Sequence, residues 1–198
     1  MGFFDRLPAE PEPVEPPPPP RPPWLKPEDT LPGVAPVSLV LAHNGDAAVT
    51  ISGLLAYPSG FEFSVSAILH QQDRSGRIFG VTAHPRARFP GAELPPEFLR
   101  IGIEFSDGTS VANVGAHAAP RSEGLPTSPI LIADGGGGGG RRYDQRFWVW
   151  PLPPAGPTTF YCLWPAYGID ESSATLAAQP IIDAAGQSRP LWPEDPGN

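Results

Sequence analysis

The feature that most restricts what this chain can fold into is a two-residue rhythm. Phe61, Phe63, Val65, Ala67 and Leu69 alternate with Glu62, Ser64, Ser66 and His70, and Leu99, Ile101, Ile103 and Phe105 alternate with Arg100, Gly102, Glu104 and Ser106. Val37, Leu39 and Leu41 do the same against Ser38 and Ala42. Successive side chains of an extended backbone point to opposite faces, so such a pattern buries one row and leaves the other in water. Asn44-Gly45-Asp46 and Tyr57-Pro58-Ser59-Gly60 stand between the first three strands at hairpin spacing. Asp107-Gly108 supplies a two-residue turn between strands expected over 99–106 and 109–114. Further strands are expected over 130–133, 143–152 and 158–164, and one short helix over 179–185 with Pro180 at its start and Gly186 near its end. Trp192 is expected to pack back on the domain.

Many short strands and few helix-period windows predict a mainly β fold. The expected form is an antiparallel two-sheet β-sandwich of immunoglobulin-like architecture with one short C-terminal helix, preceded by a disordered N-terminal tail. The likeness is architectural only, because a single cysteine excludes the Cys-Trp-Cys landmark of antibody domains.

Composition sharpens the domain boundaries. The chain of 198 residues carries 30 Pro and 22 Gly, with Pro concentrated before residue 37 and Gly at 135–140. Pro donates no backbone hydrogen bond and holds its predecessor extended, so 8–36 reads as polyproline II or coil. Residues 1–35 are therefore expected as a disordered Pro-rich tail with a short apolar tip, 36–193 as the β domain and 194–198 as a disordered C-terminus. Phe3, Phe4 and Leu7 at that tip, with Arg21 among prolines, have the composition of a tethered docking peptide. An inert spacer with a frayed end is the alternative.

A net charge of −8 repels polyanions, so nucleic-acid binding is not expected. Cys162 alone permits neither an intrachain disulfide nor a cysteine-rich zinc site and fits a reducing cytoplasm. No window approaches the apolar length of a transmembrane helix, and Arg6 stands where a myristoylation signal has Ser or Thr.

The run Gly135 to Gly140, followed by Arg141 and Arg142, satisfies a spaced-glycine pattern. It lacks the Lys and Ser or Thr of a phosphate loop, and it leads into Tyr143, Phe147, Trp148, Val149 and Trp150, which read as a strand and not as the helix of a dinucleotide site. A mobile connection or lid is the expectation, with Arg141, Arg142 and Arg146 as a local basic spot able to grip a carboxylate or phosphate. Alternation along that strand puts Trp148 and Trp150 on one face and Phe147 and Val149 on the other, so Trp148 and Trp150 are either core or a recognition surface.

His43, His70, His84 and His117 lack the spacing of a metal pair, and Asp134, Asp144, Asp170 and Glu171 read as solvated charge. Cys162, between Phe160 and Trp164, reads as a buried, unreactive thiol. No catalytic residue, metal or cofactor is assigned.

The glycine run together with Phe147-Trp148-Val149-Trp150-Pro151-Leu152-Pro153-Pro154-Ala155-Gly156-Pro157 and Phe160-Tyr161-Cys162-Leu163-Trp164-Pro165 resembles a group of uncharacterised bacterial proteins in which a glycine run precedes a Trp/Pro-rich strand pair. The resemblance implies a shared fold and no activity, and it transfers no functional residue. The functional expectation is a non-enzymatic module that binds another protein. Its alternatives are a carbohydrate or small-ligand domain using the aromatic face and glycine loop, and an enzyme with an unfamiliar site.

Overall fold

A computed structural model describes residues 21–72, 94–114 and 125–192. Phe3, Phe4, Leu7, His84, His117 and the expected C-terminal tail at 194–198 lie outside the described residues. The rest is built from antiparallel strands, with one helix among the described residues.

The strands with the clearest alternation form the centre. β4 (Ala47–Ala56) and β5 (Phe61–Leu69) make a hairpin paired from Ala47–Leu69 to Ala56–Phe61. The first half of β4 also pairs with β3 (Leu39–His43) and its last three residues with β2 (Gly33–Ala35). On the other side β5 pairs with β9 (Arg142–Trp150), and β9 pairs with β8 (Ile130–Gly139). The order of this six-stranded sheet is therefore β2–β4–β5–β9–β8, with β3 beside β4.

A second sheet has four strands, β11 (Ile169–Ala177), β10 (Pro157–Trp164), β6 (Arg100–Glu104) and β7 (Ser110–Ala112), in that order. The apolar rows of both sheets contribute to one core. Phe63 of β5 is fully buried, stacks on Phe147 of β9 at 5.5 Å, and meets Phe160 of β10 edge-on at 5.3 Å. Around it lie Val49, Ile51, Val65, Ile101, Ile103, Cys162 and Trp164. A buried side chain of this size contributes about 1.5–3 kcal/mol relative to an exposed one, so the shared apolar faces are the main force joining the sheets. The helix α1 (Gln179–Gly186) has Pro180 in its first turn and turns Ile181, Ala184 and Ala185 into the core.

Several expectations need correction. The tail does not extend to residue 35, because Trp24 is buried and β1 (Thr30–Leu31) and β2 are strands. Ala35 belongs to the core cluster, and the Trp24 carbonyl accepts from Trp148 Nε1 on β9, contacts that override the extended, water-exposed bias of the neighbouring prolines. β1 pairs with β12 (Arg189–Pro190), so the N-terminal segment is joined to the C-terminal one. Trp192 does not pack back on the domain: only its neighbours are paired, and the ring is 71% exposed. The largest correction concerns the glycine run, which is no mobile connection or lid. Gly135 to Gly139 continue β8, with Gly136 to Gly139 paired to Gln145 through Arg142.

Candidate interaction surface

A strand made of glycine needs a reason to form, since glycine loses more conformational freedom on ordering than any other residue. Here the reason is the neighbouring strand. A register shift between Ala133 and Gly136 makes a bulge at which Gly135 adopts φ +76°, a left-handed conformation that glycine enters without strain. Gln145, buried on the core side of β9, holds this bulge by donating from Nε2 to the Gly135 carbonyl at 2.6 Å. Its Oε1 accepts from the Tyr143 hydroxyl at 3.2 Å. A Cβ on Gly136 would stand 2.7 Å from Gln145 Oε1 and 2.8 Å from the Asp144 carbonyl, and one on Gly138 would stand 2.2 Å from the Arg142 carbonyl. Close backbone approach thus excludes side chains at 136 and 138. At Gly137 and Gly139 a Cβ would meet nothing within 4 Å.

Among the described residues β8 ends its sheet, and one side of its backbone has no strand beside it. Ile130 and Leu131 at its start are buried, whereas Gly135 to Gly139 are all exposed. The exposed half of this edge carries no side chain to shield its backbone.

The outer face of β9 gathers most of the residues singled out from sequence. Arg142, Asp144, Arg146, Trp148 and Trp150 alternate along it, opposite Ile68, Ser66, Ser64 and Glu62 of β5 for the first four. The arginines are not an open anion grip. Arg142 donates from Nε to both carboxylate oxygens of Asp144, at 3.0 and 2.9 Å, and from Nη2 to Ser66 Oγ at 2.8 Å. Those bonds hold the Asp144 carboxyl below its ordinary range, against the opposing effect of partial burial. Arg146 donates to the Asp134 carbonyl at 3.1 Å, and Arg141, at the hairpin end, donates to the His70 carbonyl at 3.1 Å.

Trp148 is core and not surface. It is 1% exposed, capped by the Tyr57 ring edge-on at 5.5 Å, and its Nε1 donates to the Trp24 carbonyl at 2.9 Å. Trp150 is half-buried. A stacking platform made of both rings is therefore not available to a sugar. Arg21, the described member of the expected docking peptide, is exposed and ion-paired with Glu28.

Sequence reasoning missed the cluster that closes this end of the face. Lys26 reaches Glu62 on β5 at 2.7 Å and also contacts Asp134 on β8. Burial alone would lower the Lys26 pKa, but its bonds to Asp134 and Glu62 outweigh that and raise it. Burial alone would raise the Asp134 pKa, but Lys26 and the Arg146 charge bring it below its ordinary value. These partners stand 36 and 108 residues from Lys26, so no local spacing announces them.

A concavity of about 740 Å³ lies between the β3–β4 turn, the end of β5 and the single turn at 165–167. Asn44 ties its walls, donating from Nδ2 to the Tyr167 and Gly168 carbonyls at 2.8 and 3.1 Å and accepting from the Asp46 and Ala47 amides. Among the described residues no group of three His, Cys, Asp or Glu is placed to hold a metal ion. None of the described helices is long and apolar enough to cross a membrane. No family model matches the chain, and neither does any curated protein or solved structure.

Proposed function

We propose that this chain is a non-enzymatic protein-interaction module of the cytoplasm, its two sheets stacked as an immunoglobulin-like β-sandwich, and that it binds protein by accepting an added strand along β8. The observation that carries this reading is the exposure of Gly135 to Gly139 on a terminal strand. Strand addition draws its affinity from main-chain hydrogen bonds, which need an accessible edge and no obstructing side chains. Edge strands are ordinarily shielded by charge, proline or a covering element, and this half-strand has none of them among the described residues. The tethered segment 1–20 supplies a second point of attachment in the same reading, through Phe3, Phe4 and Leu7.

Photo-crosslinking in cells tests the proposal. A benzophenone side chain at position 137 or 139 points into open space and is expected to form protein adducts. The same group at exposed Glu171 on β11 is expected to form none. Equal yields from all three positions, or no adduct from 137 and 139, would reject the edge as the binding surface.

A further inference from the structure

We infer that the strand added to β8 is β8 of a second copy of this chain, running antiparallel to the first about a twofold axis near Gly137. This rests on the edge-binding reading and names its partner. Antiparallel pairing of a strand with its own copy is the isologous arrangement that a twofold produces, so the same edge serves both chains.

Two features of the edge favour this occupant. The first is steric: the exposed half of β8 is glycine from 135 to 139, so two such edges approach with no side chain from either copy between them. The second is electrostatic. The edge carries Asp134 at one end, paired with Lys26 but with 37% of its side chain exposed, and Arg141 at the other, exposed and bonded to the neutral His70 carbonyl. A twofold through Gly137 sets Asp134, three residues before it, opposite Gly140, three residues after it, and next to Arg141 of the second copy. Opposite charges then meet at both ends of the ladder, whereas a parallel copy would set like against like. The six-stranded sheet of each chain becomes half of one continuous sheet.

Sedimentation equilibrium of the full chain over a wide concentration range is the test, with amide exchange at Gly135 to Gly139 recorded alongside. A reversible dimer is expected, and exchange at those amides of Gly135 to Gly139 that point to the free edge, away from β9, should slow as concentration rises. Gly137→Lys with Gly139→Lys places like charges across the axis and should weaken association about tenfold or more. The thermal unfolding of this variant should be nearly unchanged, because both positions have room for a Cβ. Arg141→Glu, which leaves the edge backbone intact, should weaken the dimer as well. A chain monomeric at every concentration, or a dimer that both variants leave intact, would overturn the inference. A monomer whose position 137 still crosslinks to a different protein would overturn self-pairing and leave edge binding standing.

Discussion

Gly136 and Gly137 are adjacent, identical in type and opposite in what they tolerate. Gly136 faces the core side, where an added methyl would press on the Asp144 carbonyl, Gln145 Oε1 and the Tyr143 hydroxyl, all within 2.9 Å. Gly137 faces open space. Gly136→Ala is therefore expected to cost about 1–3 kcal/mol, as overpacking against backbone does. Gly137→Ala should be neutral or stabilise by up to about 1 kcal/mol, because alanine restricts the unfolded chain. Urea unfolding of the two variants checks the pair, and equal effects would show that the glycine strand is not seated against β9. The sequence hides this distinction. A glycine run carries neither hydrophobic period nor strand propensity, and reads as a loop until the side chains of Tyr143 and Gln145 are known to fill the space opposite.

At the scale of elements, the legible strands were those with one apolar and one polar row. In β6 the apolar row is the buried one; β5 has the same alternation, although Glu62 and Ser66 of its polar row are buried as well. β10 is equally regular, with Thr158, Phe160, Cys162 and Trp164 buried in alternation. β11 was not legible, because Ile169 is its only buried residue and the row that packs on the core, Ser172, Ala174 and Leu176, is short, half-buried and starts with a polar residue. The segment 21–29 was misread for a different reason: its prolines describe local stiffness, whereas its position is fixed by Trp24 and Lys26 against distant strands.

That attachment makes a pH-dependent prediction. Asp134 has a folded pKa below its ordinary value of 3.8, so its pairing with Lys26 contributes stability above that value and loses it as pH falls through the folded pKa. Lys26→Met leaves Glu62, 5% exposed, without its cation and should cost about 1–3 kcal/mol near neutral pH. The difference between this variant and the native chain should shrink as acid neutralises Asp134. Denaturation midpoints measured from neutral pH to below 3.8 decide it, and a pH-independent difference would mean that Lys26 acts through packing alone.

Across the whole molecule, the question is whether two sheets that share a core also unfold together. Phe63 meets Phe160 across the gap between them, and Cys162, two residues along β10 from Phe160, is 2% exposed in the same core. Burial pushes the Cys162 thiol up from 9.0 to about 11. The unfolded thiol therefore ionises before the folded one, so stability is complete below pH 9.0 and declines as pH rises toward 11. Lys26, Tyr57 and Tyr161 also lose protons at alkaline pH, so the contribution of Cys162 is the difference between the native chain and Cys162→Ala. The native chain should lose more stability between pH 9 and 11 than the variant does. The same thiol reports on cooperativity, because it lies in the four-stranded sheet while Trp148 lies in the six-stranded one. In a Trp164→Phe variant, which removes the tryptophan of β10 itself, iodoacetamide labelling of Cys162 and the tryptophan fluorescence change should follow one unfolding curve in denaturant. Labelling that runs ahead of the fluorescence would mean that β10 opens while β9 stays closed, and that the contact at Phe63 joins the sheets less tightly than the local order within each.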